Sequence, residues 1–375
     1  MSFDFVTPVE RKNTASLKWQ RYEQQDVIPM WVADMDLTSP PVVQEALSKA
    51  VAAGVFGYGE VPQGLNQAFI DWCASQYNWQ VEKDWLVWIP GVVPGFNLAV
   101  EAWLKPEQGL LVQSPVYPPI RVLGQLRKRP TLDMPVNTSK LASYLKPETS
   151  ALVLCNPQNP LGKVYSRKEL EKLADMAEEN NLLVISDDIW SDLILEPGLR
   201  HVPYASVSET AAQHSVTLMA PSKTFNIAGL SCAVAVIPNP ELRASYRKKM
   251  RGLMPDMNYL GLVAAQAAWQ GGHDWLAALK VHLNANLAIL EDWLKDFPQI
   301  GYQRPQATFV AWLDVSALQL TNPIQAFLDG GVALSPGEAY GKNSHVRLNF
   351  GCSATQLQQA LQRMAKVLYN EGVIN

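Results

Sequence analysis

Six short apolar runs between residues 85 and 237 set the tightest limit on the fold: 85–89, 110–113, 152–155, 183–186, 216–220 and 232–237. Each is too short for a buried helix and lacks the alternation of a half-exposed strand, so each reads as a strand covered on both faces. Stretches of helical spacing separate them, at 94–104, 118–126 and 166–180 among others. Ser166 and Glu169 have the spacing of a capping box at the start of the last of these. This alternation predicts an α/β fold with a mainly parallel sheet.

Beyond Glu241 the pattern turns helical, with one long helix expected over 273–297. An α+β stretch follows, with strands in ATFVAWLDV and VRLNF and a last helix over 354–369. The expected division is an N-terminal segment, 1–44, packing on a smaller C-terminal domain, 286–375, beside a large domain, 45–285. A chain of 375 residues is long enough for such an arrangement.

Composition narrows the function. A formal net charge of −4, with no basic run longer than the cluster at 127–129, argues against nucleic-acid binding. The four cysteines form no CxxC pair, and the five histidines show no metal-ligand spacing, so no metal site is expected. No run reaches membrane-spanning length and the N-terminus carries no apolar signal core, so the expected place is the cytoplasm.

The run 216–220 ends at Pro221-Ser222-Lys223, which opens a segment that reads as helix-like. A lysine there would sit at the carboxyl end of a sheet, where open α/β sheets bind ligands. Lysine can form an imine with a carbonyl cofactor and move a proton when its pKa is lowered. Four other strand ends supply partners. Gly91, Val92 and Val93 lie in a strand-to-helix turn suited to phosphate. Tyr117, between prolines, offers a ring face for stacking. Asn156 and Asn159 precede prolines, which restrict the backbone that aims their amides. Asp187 follows an apolar run, where a carboxylate needs a cation or strong donors. Each has an ordinary structural reading alone: a surface lysine, a helix-opening turn, a core aromatic, a plain turn, a helix cap. Together they make the set that pyridoxal 5′-phosphate (PLP) requires.

The chain resembles a fold-type I PLP enzyme of the class I/II aminotransferase superfamily, and within it the MalY/PatB-type cystathionine β-lyases, or C–S lyases. The resemblance spans nearly the whole chain, through PMWVADMD (29–36), PGVVPG (90–95), NPQNPLGKVYS (156–166), SDDIWSDL (186–193), SKTFNIAGL (222–230) and GVALSPGEAYG (331–341). It implies that Lys223 holds PLP and shuttles the Cα proton, that Asp187 pairs with the pyridinium nitrogen, and that Asn159 bonds the phenolate oxygen. It also implies that Tyr117 stacks on the ring, and that Gly91, Val92, Val93 and Ser222 lie near the phosphate. Tyr58 would reach the phosphate of the neighbouring subunit, which implies a homodimer. Arg347 would grip the substrate carboxylate, and Trp31 with the rest of 31–36 would line the substrate side. The chain departs from the pattern at Trp190, where aminotransferases usually have Tyr and the lyase branch often His; indole donates a hydrogen bond but accepts none. Ala220 and Ser231 replace a phosphate-binding hydroxyl and arginine found in many superfamily members.

The expected activity is β-elimination of L-cystathionine or related cysteine S-conjugates to thiol, pyruvate and ammonia. The alternatives are an aminotransferase on the same scaffold and a PLP-bound regulatory protein. A Ser222–Lys223 hydrolase lacks supporting motifs, and GEAYGKNS (337–344) lacks the spacing and frame of a P-loop.

Overall fold

The computed structural model describes residues 3–370, so the outer ends of the two expected terminal segments, 1–2 and 371–375, lie outside the described residues. Its centre is a seven-stranded sheet built from β2 (Leu86–Ile89), β3 (Gly109–Ser114), β4 (Thr131–Pro135), β5 (Thr149–Cys155), β6 (Leu183–Asp187), β7 (Ser215–Met219) and β8 (Ala233–Val236). The strand order is β2-β8-β7-β6-β5-β3-β4. Strands β4, β3, β5, β6 and β7 pair in parallel, whereas β8 runs against both β7 and β2.

Successive residues of a strand face opposite sides of a sheet, and here both sides are covered. Ala151, Val153 and Cys155 join one core with Phe96 of the helix Val92–Trp103. Leu152 and Leu154 join another with Leu170 and Leu173 of the helix Arg167–Glu179. That helix carries the expected capping box. The six apolar runs are all strands, within one residue at each end except that β5 begins three residues early, at Thr149. β4 is the strand that apolar runs did not reveal. It lies at the sheet edge and exposes Asp133, so its sequence carries no continuous apolar signal.

Two expectations need correction. The helix expected from residue 94 begins at Val92, because Pro94 fits the first turn. The segment after Lys223 is not a helix: it is a series of turns, with Asn226 in the left-handed region at φ 56, followed by a short 3-10 turn at Ala228–Leu230.

A four-stranded antiparallel sheet follows, in the order β12 (Ser335–Pro336), β13 (His345–Asn349), β10 (Val310–Asp314) and β9 (Gly301–Tyr302). The N-terminal stretch is tied to this part of the chain. β1 (Ile28–Pro29) pairs in parallel with β11 (Val332–Ala333), and Asn349 donates its N–H to the Met30 carbonyl at 2.9 Å. Among the described residues no helix is long and apolar enough to cross a membrane.

Candidate active site

The carboxyl ends of β5, β6 and β7 and the start of the helix Val92–Trp103 converge on a cavity of about 270 Å³. Gly91, Val92, Val93, Tyr117, Asn159, Asp187, Trp190, Ser222 and Lys223 all line it, together with Ala33 and Cys155. Residues from six separate stretches of sequence thus meet in one space.

Lys223 reaches into it from the turn after β7. Its Nζ donates to the Ala33 carbonyl at 2.6 Å and lies 5.6 Å from the centre of the Trp190 ring. Burial lowers its pKa to about 8, helped by the positive charge of Arg347 and opposed by the carboxylates of Asp34 and Asp187. Thr224 anchors the next position by donating to Asp192, which also accepts from Trp72 and Tyr77. Asn226 ties the turn to the N-terminal stretch: its side chain accepts from Met35 N–H and donates to the Met35 and Leu37 carbonyls.

Asp187 ends β6 and is 2% exposed. Its carboxylate accepts the Ile189 N–H at 3.2 Å. Burial pushes its pKa up to about 7, Asp188 adds to the rise, and the Ile189 N–H and Lys223 oppose it. A buried acid in this state is repaid by a cationic donor.

The helix Val92–Trp103 presents its unpaired first-turn N–H groups to the cavity, with the positive end of its dipole. It can lie this close to the sheet because position 95 is glycine. A Cβ there would stand 2.6 Å from Ile89 Cδ1 and 3.0 Å from Leu218 Cδ2.

Arg347, on β13, is 3% exposed. Its Nη1 donates to Asn159 Oδ1 at 3.1 Å and its Nη2 to the Trp31 carbonyl at 2.8 Å, while Nε has no partner. The guanidinium lies 4.9 Å from the Tyr340 ring centre. Trp31 meets this group through its backbone; its ring lies under Arg21, and its indole N–H donates to the Lys18 carbonyl at 3.2 Å. Tyr58 stands apart, 96% exposed on a surface loop. Trp190 is buried edge-on to Phe309, with ring centres 4.8 Å apart.

Sequence reasoning named Ala33 only as part of 31–36, and singled out neither Ser335 nor Tyr340. Ala33 acts through its backbone, which leaves no side-chain signal. Ser335 and Tyr340 lie within the motif 331–341, but only the fold brings them to Arg347.

The donor set fits PLP. A buried acid whose pKa is raised faces a space that also holds an amine, an aromatic face and the N–H groups of a helix start. These suit, in turn, a ring nitrogen that bonds a proton, a carbonyl carbon, a flat ring and a phosphate.

Comparison with known proteins agrees. The sequence model for "Aminotransferase class I and II" matches residues 25–364. Cystathionine beta-lyase PatB of Bacillus subtilis is 35% identical, over 96% of this chain and 98% of its own. Among solved structures, OvoB superposes with a TM-score of 0.95 at 40% identity, covering 98% of this chain and 99% of that one. Cystalysin from Treponema denticola, solved with a pyridoxal 5′-phosphate cofactor, gives a TM-score of 0.93 at 28% identity, covering 99% and 100%. The chain belongs to the aminotransferase class I and II family, alongside its PatB- and MalY-type members.

Proposed function

We propose that the protein is a PLP-dependent C–S β-lyase that splits L-cystathionine or related cysteine S-conjugates into thiol, pyruvate and ammonia. The observation that carries this reading is the single cavity shared by Lys223, Asp187, Asn159 and the helix start at Val92. The cystathionine β-lyases among its relatives favour elimination over transamination.

When bound, PLP supplies an electron sink that stabilises negative charge at the substrate Cα. The chain supplies the rest. Lys223 anchors the cofactor and then serves as the base that takes the Cα proton; a pKa near 8 leaves a useful fraction neutral at physiological pH. Asp187 holds the proton of the ring nitrogen. Asn159 donates to the ring oxygen, and Tyr117 covers one ring face. Val92, Val93, Gly91 and Ser222 hold the phosphate through N–H and O–H donors. Arg347 takes the substrate carboxylate, which fixes the Cα–H bond beside Lys223. Trp190 walls the cavity and supplies a ring face to the Lys223 ammonium.

The dimer belongs to the same reading. Tyr58 and its exposed neighbours Val55 and Phe56 form an apolar loop suited to a second copy of the chain, where Tyr58 would meet the partner's phosphate. The cytoplasm is the proposed location, and four free, buried cysteines suit it. In the proposed division into 1–44, 45–285 and 286–375, the second part holds the seven-stranded sheet and the third the four-stranded one, with the limits falling inside the helices Pro41–Ala52 and His273–Leu294.

The test is addition of L-cystathionine to the purified PLP-loaded protein, with thiol and pyruvate both measured. Release of both is expected. Conversion to pyridoxamine phosphate without pyruvate would make it an aminotransferase.

A further inference from the structure

We infer that Tyr340 is a positioning residue for Arg347: its ring face holds the guanidinium in place and leaves the charge free for a substrate carboxylate. The inference rests on the reading of Arg347 as the carboxylate grip and adds the group that sets it.

Arg347 lies on β13 directly opposite Trp312 of β10. Directly opposed residues of an antiparallel pair project from the same face of a sheet, so both side chains stand on one side. Tyr340 packs against the two of them. Its ring centre is 4.9 Å from the guanidinium carbon and 5.4 Å from the Trp312 ring centre, with the two rings edge-on at 63°.

The Tyr340 ring is held from several sides. The residue is 4% exposed and ends the 3-10 turn Gly337–Tyr340, and its carbonyl accepts the Val116 N–H at 3.1 Å. Gly341 then turns the chain at φ 96, where L side chains are strained, and a Cβ there would stand 2.8 Å from Ser114 Oγ. Trp312, behind Tyr340, is itself stacked on His345 with ring centres 5.0 Å apart.

Arg347 needs such a neighbour. It is buried, and its hydrogen-bond partners among the described residues are all neutral: Asn159 Oδ1, the Trp31 carbonyl and, at 3.4 Å, Ser335 Oγ. A buried cation without a paired anion is costly. A carboxylate in the place of Tyr340 would relieve that cost, but it would also compete with the substrate for the same charge. A ring face attracts the cation through its quadrupole and forms no ion pair that a substrate would have to break.

The experiment compares L-norleucine with n-pentylamine, the same chain without the carboxylate, as ligands of the PLP-loaded protein, read by the shift of the cofactor absorbance band. Neither has a β-leaving group, so the outcome does not depend on the lyase reading. The wild type is expected to bind L-norleucine more tightly. Pentafluorophenylalanine in place of Tyr340 keeps the shape of the ring and reverses the sign of its face. It should weaken L-norleucine binding by about threefold to thirtyfold and leave n-pentylamine unchanged. Tyr340→Phe should keep both affinities within about twofold. If the fluorinated ring is not tolerated, Tyr340→Leu, which removes the face altogether, should give the same pattern. Equal weakening of both ligands, or of neither, overturns the inference. So does a loss in Tyr340→Phe as large as that with the fluorinated ring, which would give the role to the hydroxyl. If the wild type binds both ligands alike, the carboxylate role of Arg347 fails and the inference falls with it.

Discussion

Arg347 Nη1 donates to Asn159 Oδ1 across 3.1 Å, and this bond joins β13 of the antiparallel sheet to the loop after β5 of the seven-stranded sheet. The same guanidinium holds the Trp31 carbonyl. Three regions far apart in sequence therefore depend on one buried cation, whose pKa is lowered by burial against the opposing effect of Tyr340 and Tyr117.

Arg347→Lys should lower kcat/KM by about 10- to 100-fold, chiefly through KM. Lysine keeps the charge but cannot reach Asn159, Trp31 and a carboxylate together from one planar group. Steady-state kinetics on L-cystathionine would check the split.

Lys223→Ala should cost about 10²- to 10⁴-fold in kcat or more, since in the proposed function one side chain both anchors the cofactor and moves the proton. After desalting, the variant should also retain less cofactor absorbance than the wild type. Equal turnover in wild type and variant would remove Lys223 from the chemistry.

The cofactor-free protein should show two opposite pH slopes in stability. Asp187 has its folded pKa raised from 3.8 to about 7, so the folded state binds the extra proton and wild-type stability falls as pH rises from 4 to 7. Lys223 has its folded pKa lowered from 10.5 to about 8, so the unfolded state binds the extra proton and stability rises between pH 8 and 10.5. Asp187→Asn should abolish the first slope, a difference of a few kcal/mol by pH 7 at about 1.4 kcal/mol per unit. Urea unfolding at pH 4, 7 and 10 reads both slopes.

Asp192→Ala should destabilise the fold by about 3 kcal/mol or more. The change strands three buried donors, from Trp72, Tyr77 and Thr224, in one place. Because Thr224 follows Lys223, cofactor affinity should fall as well. Thermal unfolding with and without PLP separates the two effects.

Much of the site was legible because its residues sit at strand ends, and strand ends follow from local apolar pattern. Lys223, Asp187 and Asn159 each follow a run that is buried on both faces, and all three reach one cavity. The residues at 90–95 were legible as a strand-to-helix turn, although Pro94 hid the true helix start. Trp31 was not legible in the same way. Its identity drew attention to its ring, while the contact it makes with Arg347 is through its backbone.

The amino-acid pattern by itself determined the strands, most of the helices and the residues poised at their ends, because burial on two faces demands continuous apolar runs and exposed turns do not. Tertiary structure alone decided which ends meet. The Lys223–Ala33 and Arg347–Trp31 bonds span 190 and 316 residues, and no local spacing encodes such distances. It alone decided the state of each buried charge too. Asp34 and Asp36 read alike in the sequence, yet Asp36 is fully engaged by Lys18, Arg11, Trp19 and Gln356, whereas Asp34 keeps one buried oxygen bare.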